Sequence, residues 1–193
     1  MNNFLRNGIV LLVIAAVSAG LLAVVNGFTS KVIAQAEFEK SVEAYVEIYG
    51  DKADDFEPLE EAKKTAIIEK YPSVQDIFVA KKGGEIVGYG INHITSGYGG
   101  EMTNAIGLLN DNTIAGFRNI QNAETPGIGT QITEAPYFDK FEGKSFANGE
   151  LKGSPEASGE DEIPMISGAT VSSTAVLDGV NSVLPAYAEI SAQ

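Results

Sequence analysis

Hydrophobic positions along the chain follow three different rhythms. The first is no rhythm at all: from residue 7 to residue 30 there is no charged side chain, and residues 8–25 read GIVLLVIAAVSAGLLAVV. As a helix, those 18 residues rise ~1.5 Å each and span roughly 27 Å, close to the hydrocarbon thickness of a bilayer. A secretory signal has a shorter apolar stretch, about 7–15 residues. Ala34-Gln35-Ala36 resembles a small-x-small cleavage site, but it lies well past the apolar run with charged residues around it. The pattern predicts an uncleaved anchor over residues 1–30 and one domain over residues 31–193. Arg6 precedes the span, whereas Lys31 and Lys40 follow it among Glu37 and Glu39. A short tail before a single span and a large domain after it predict a cytoplasmic N-terminus and an extracytoplasmic domain at the cell membrane.

The second rhythm is helical. In KVIAQAEFEKSVEAYVEIY (31–49), Val32, Ile33, Ala36, Val42, Tyr45, Val46 and Tyr49 recur at three- and four-residue spacings, the mark of an amphipathic helix continuing from the span. Gly50 and Asp51 end it, DKADDFEP reads as an acidic surface loop, and a second helix is predicted over about 60–71, stopped by Pro72. The third rhythm has a period of two. Segments 76–81 and 85–94 are rich in Ile, Val, Phe and Tyr around Gly83-Gly84, and 101–109 and 113–119 flank Asn110-Asp111-Asn112. Both pairs read as antiparallel hairpins. Beyond them come ETPGIG, a short aromatic helix around 137–141, a polar linker GSPEASGEDEIP, and a final helix over about 171–190 interrupted by Pro185. Strands in one block with helices at both ends predict an α+β domain: one antiparallel sheet with flanking helices.

Composition then removes whole classes of function. The 193 residues suit one anchor and one core. Without a single cysteine, disulfides, thiolate metal sites and iron–sulfur clusters are excluded. With His93 as the sole histidine, histidine-rich metal sites and histidine triads are excluded too. Net charge is −13; residues 1–30 hold only Arg6, which leaves 12 basic and 26 acidic residues in the rest. Such a surface repels nucleic acid and anionic headgroups. The paired acids Asp54-Asp55 and Glu60-Glu61 sit in solvated stretches and read as surface charge, and His93 in its strand pattern reads as structural.

Three short motifs remain. Ser167-Gly168-Ala169-Thr170, followed by Val171-Ser172-Ser173-Thr174, precedes an apolar helix carrying Val176, Val180, Val183, Leu184 and Tyr187. Hydroxyls there serve as helix caps, and a glycine-opened helix start with exposed N–H groups also seats a phosphate; the two readings are compatible. In Glu124-Thr125-Pro126-Gly127-Ile128-Gly129, Pro126 fixes φ and the glycines permit tight geometry. It is either a plain turn or a rigid loop presenting amides and a side chain to a planar ligand, and it lacks the GxGxxG spacing of a dinucleotide fingerprint. Gly97-Tyr98-Gly99-Gly100 reads as a hairpin loop, or as a bend that another backbone approaches closely.

One span, then GYGG before a strand pair, then ETPGIG, then SGAT before a C-terminal helix: this order closely resembles the G subunit of the Rnf electron-transport complex. That FMN-binding family is shared with the C subunit of the Na+-translocating NADH:quinone oxidoreductase. The resemblance covers nearly the whole chain, and the modest length favours the Rnf protein. It implies an FMN bound covalently, as a phosphoester, to Thr170 at the end of the motif Ser167, Gly168, Ala169, Thr170. A flavin transferase makes the bond from FAD. Where the family has an aspartate three residues before the motif, this chain has Pro164, with Asp161 and Glu162 nearby. The resemblance places the ETPGIG loop against the flavin ring, with Glu124, Thr125, Gly127 and Ile128 as cofactor-binding residues, Thr125 polar and Ile128 apolar. A Glu124 carboxylate near the ring disfavours the anionic reduced flavin and lowers its potential. The implied role is an electron-transfer subunit working with other membrane subunits between ferredoxin and NAD+, with no nucleic acid and no substrate turnover of its own. Alternatives are the quinone-reductase subunit, a stand-alone flavinylated surface redox protein and, in another class, a membrane-tethered ligand-binding or sensor domain.

Overall fold

The computed structural model describes residues 3–192. The chain divides into two compact units, Met1–Lys40 and Ser41–Gln193, so the expected boundary at residues 30 and 31 falls inside a helix. That helix, α1 (Asn3–Tyr49), contains an 18-residue stretch long and apolar enough to cross a membrane, with none of it buried.

In the second unit, α2 (Glu61–Lys70) is followed by a hairpin of β2 (Val74–Lys82) and β3 (Glu85–Ser96), then a hairpin of β4 (Glu101–Leu109) and β5 (Ile114–Gln121). With β1 (Asp55–Pro58) on the edge, the strands form an antiparallel meander in chain order. Alternation divides its buried residues between two faces. The register row Ile77, Ile91, Ile106 and Phe117 meets Val176, Val180 and Val183 of α4 (Thr170–Ser191) in one core. Burying side chains of this kind stabilises the fold by about 1.5–3 kcal/mol each.

The adjacent row presents Phe78, Gly90, Gly107 and Gly116 to the C-terminal turns of α1. A Cβ on Gly90 would lie 2.4 Å from the Tyr45 ring, and one on Gly107 would lie 2.5 Å from the Ile48 side chain. Glycine is therefore what lets the helix backbone approach the sheet. Buried polar bonds fix the approach: Tyr45 Oη donates to Asn92 Oδ1 at 2.7 Å, and Asn92 Nδ2 donates to Ser41 Oγ at 2.7 Å.

The fold corrects the sequence reading in three places. The acidic stretch DKADDFEP is not a plain loop: after a 3-10 turn (Gly50–Lys52) it forms β1. Phe56 stacks on the Tyr45 ring and packs tilted against that of Tyr49, and Pro58 sits in an edge strand, where a missing N–H is tolerated. The polar linker contains a parallel pair, β6 (Lys152–Ser154) and β7 (Glu162–Pro164), anchored by the fully buried Ile163. Three-residue strands leave no periodicity to read. Lastly, α4 runs unbroken through Pro185, because Ala186, Tyr187 and Ile190 beyond it are buried in the core. The aromatic helix divides into α3 (Ala135–Phe138) and a 3-10 turn (Asp139–Phe141).

Candidate functional site

Three segments far apart in sequence line one cleft of about 550 Å³. Tyr98 comes from the β3–β4 loop. Glu124, Thr125, Ile128 and Gly129 come from the loop after β5, and residues 168–172 from the start of α4. The volume lies in the range of small-molecule sites, roughly 300–1,000 Å³.

Each segment is held by local bonds. In the β3–β4 loop the Gly97 N–H donates to the Gly100 carbonyl at 2.8 Å. After β5, the Thr125 carbonyl accepts from the N–H groups of Ile128 (3.1 Å) and Thr130 (3.3 Å), while the Gly127 N–H donates to Thr130 Oγ1 at 2.9 Å. Gly127 has φ +72 and Gly168 φ +81, a left-handed backbone that glycine adopts without strain. A 3-10 turn (Gly129–Thr133) then leads to α3.

At the third segment the capping reading is not realised. The residue before the first turn of α4 is Ala169, and no side chain caps the helix. The nearby hydroxyls face elsewhere. Ser172 Oγ donates to Glu124 Oε2 at 2.7 Å, and Ser173 Oγ donates to the Ala169 carbonyl at 3.0 Å while accepting the Ile166 N–H at 3.2 Å. Thr170 is exposed in the cleft wall. A helix start without a side-chain cap carries partial positive charge and favours an anion.

The structure thus brings together Glu124, Thr125, Ile128, Gly168, Ala169 and Thr170. Gly127 and Ser167 shape the adjoining turns without lining the cleft. Tyr98, Gly129, Val171 and Ser172 line it as well, and the motifs alone do not single them out as contacts. GYGG and ETPGIG carry a signal for Tyr98 and Gly129; Ser172 emerges only once the helix start is known. Glu124 is buried, whereas Tyr98, Ile128 and Val171 are exposed apolar side chains around the opening. Among the described residues, no Lys or Arg lines the cleft, and no His/Cys/Asp/Glu cluster is able to hold a metal.

An apolar-walled cleft with the exposed Thr170 hydroxyl at a helix start suits a planar ligand carrying a phosphate, and an FMN-binding domain model matches residues 97–185, which contain the whole site. An RnfG N-terminal region model matches residues 1–48. The chain is 36% identical, over 95% of its length and 91% of the relative's, to the G subunit of the Na+-translocating ferredoxin:NAD+ oxidoreductase complex of Acetobacterium woodii. It is 30% identical, over 90% and 89%, to the G subunit of the ion-translocating oxidoreductase complex of Methanosarcina acetivorans. The chain belongs to the RnfG family. Its fold is similar to that of the C subunit of the Na+-translocating NADH-quinone reductase from Parabacteroides distasonis, with a TM-score of 0.56 and 24% identity over 73% of this chain and 79% of that one. NqrC from Shewanella oneidensis matches with a TM-score of 0.50 and 22% identity over 55% and 53%.

Proposed function

We propose that this chain is the flavin-carrying electron-transfer subunit of a membrane-bound, ion-translocating ferredoxin:NAD+ oxidoreductase complex, with FMN held as a phosphoester on Thr170. The observation that supports this most is the cleft that joins all three motifs beside the exposed Thr170. Thr170 Oγ1 would carry the FMN phosphate as an ester, which a dedicated flavin transferase would form from FAD with AMP and the hydroxyl proton as the leaving groups. Gly168 and Ala169 keep the approach to the hydroxyl open.

Bound FMN supplies one- and two-electron redox chemistry, and the residues do the rest. Thr170 would fix the phosphate end, where the α4 N–H groups would offset its charge. Tyr98, Ile128 and Val171 would wall the ring, and the Thr125 hydroxyl would be a hydrogen-bonding group for its polar edge. The cleft holds one carboxylate, Glu124, and protein donors already engage both of its oxygens. Residues 1–30 anchor the chain, with a cytoplasmic N-terminus and residues 31–193 on the extracytoplasmic side, among the complex's other membrane subunits.

The test is intact mass and in-gel fluorescence of protein purified from its native membranes, beside a Thr170→Ala variant. We expect an added mass of FMN less water and a fluorescent band, both absent in the variant. An unmodified wild-type mass from cells that flavinylate other proteins would overturn the reading.

A further inference from the structure

The glycines of two motifs converge on one carboxylate. Glu124 is 5% exposed, and each of its oxygens is already engaged by the protein. Oε1 accepts the Gly99 N–H at 3.1 Å, and Oε2 accepts the Ser172 hydroxyl at 2.7 Å. A Cβ on Gly97 would lie 2.1 Å from Oε1, and one on Gly129 would lie 2.3 Å from Oε2. Those two glycines leave room for the carboxylate and for nothing larger. Its own N–H donates to Asn122 Oδ1 at 3.0 Å, which fixes the chain leading into the loop. Ser172 is the third residue of α4, so the carboxylate also sits where the helix dipole favours negative charge.

We propose that Glu124 is a positioning residue: its buried carboxylate clasps the β3–β4 loop to the first turn of α4 and thereby holds Tyr98 and Thr170 in one cleft. The clasp is the side-chain link between the loop that carries Tyr98 and the helix start that carries Thr170. This differs from a charge that tunes the flavin ring, and it rests on the proposed flavin site only for its consequence, not for its geometry.

The two roles separate at Glu124→Gln. Glutamine keeps the length, and its carbonyl oxygen still accepts the Gly99 N–H. Its NH2 donates to Ser172 Oγ, whose hydroxyl hydrogen can rotate away. Glu124→Ala removes both arms. The readouts are amide hydrogen exchange at Gly99 in flavin-free full-length protein (prepared in the Thr170→Ala background) and covalent FMN occupancy by mass in the Thr170 protein. For Glu124→Ala we expect Gly99 exchange to rise at least about tenfold, the equivalent of one lost hydrogen bond, and occupancy to fall. For Glu124→Gln both should stay within about twofold of wild type. If Glu124→Ala does not fold, Ser172→Ala removes one arm and should give an intermediate exchange rate. Unchanged Gly99 exchange in the alanine variants, or Gln behaving as badly as Ala, would overturn the clasp. Because exchange is read without flavin, failure of the clasp is distinguishable from failure of flavinylation at Thr170, which the mass of the wild-type protein reports by itself.

Discussion

His93 should make the domain lose stability between pH 6.5 and 4. It is fully buried on the α4 face of β3, opposite Asn104 of β4, with Gly179 of α4 against its ring. Among the described residues neither ring nitrogen has a hydrogen-bond partner of good geometry, and Asn104 Nδ2 lacks one too. Burial pushes its pKa from 6.5 down to about 4, with the Ile91 backbone offsetting only part of the effect. Between those two values the unfolded chain holds a proton that the folded chain refuses, so stability falls as pH falls through the window and levels off below pH 4. The full gap amounts to about 3 kcal/mol at ~1.36 kcal/mol per unit, and about 2 kcal/mol of it is lost by pH 5.

Replacing the imidazole by an apolar side chain of similar size, His93→Leu, removes this term. It also removes a buried polar group whose missing hydrogen bond costs about 1–3 kcal/mol, so the variant should be at least as stable as wild type at pH 7. At pH 5 it should gain about 2 kcal/mol on wild type. The assay is urea unfolding of the detergent-solubilised full chain, followed by circular dichroism at pH 7 and pH 5. Other carboxylates also titrate in this range, so the decisive quantity is the difference between the two proteins at each pH. A difference that stays constant within about 0.5 kcal/mol refutes the reasoning; it would mean that the fold accepts the proton at His93.

The glycine seat of α1 predicts that Gly107→Ala destabilises the domain by about 1–3 kcal/mol through overpacking against Ile48 and Tyr49, measured in the same unfolding experiment. Tyr45→Phe leaves Asn92 Oδ1 buried without its 2.7 Å donor and should cost about 1–3 kcal/mol; no loss would show that water replaces the hydroxyl. Topology can be tested directly because the chain has no cysteine: Glu156→Cys, at an exposed position, should react with an impermeant maleimide in right-side-out vesicles. Protection there, with labelling only in inverted vesicles, would reverse the proposed orientation.

What was legible in the sequence was whatever repeats. The β2–β5 hairpins, the apolar span and the face of α4 each carry enough periodic residues to be read, and β4 coincides with the predicted segment 101–109. What stayed hidden depends on partners distant in sequence. β1 exists because Phe56 finds Tyr45 and Tyr49, and no local window contains that contact. β6 and β7 rest on the single anchor Ile163. The strand glycines 90, 107 and 116 look like weak points in a sheet until the helix they accommodate is placed over them. At the site, the motifs named the three segments that line the cleft, but not the bonds their residues make. In the Ser–Thr cluster Ser172 and Ser173 turn their hydroxyls to Glu124 and to carbonyls, and the Glu124 carboxylate, in the cleft wall, also accepts bonds from protein donors.

The cleft's electrostatics also bear on what the proposed covalent bond would contribute. Tight non-covalent phosphate sites use Arg or Lys, whose charge-assisted bonds are the strong ones, and this cleft has neither among its described residues. The helix start offers about 0.3–1 kcal/mol at the surface, while the residues beyond 30 carry 12 basic against 26 acidic side chains. On this balance the domain repels a free phosphate dianion at long range, and the proposed ester on Thr170 would supply the retention that charge does not. It follows that Thr170→Ala should bind added FMN weakly, and that salt should act in the unusual direction. Raising ionic strength from about 0.01 M to 0.15 M shortens the Debye length from ~30 Å to ~8 Å and screens the repulsion. FMN affinity, read by fluorescence titration, should therefore rise or hold steady, with uncharged riboflavin as the control that salt leaves unmoved. If FMN binding weakens with salt while riboflavin does not, a cationic phosphate seat exists, and retention by the ester alone is the wrong account.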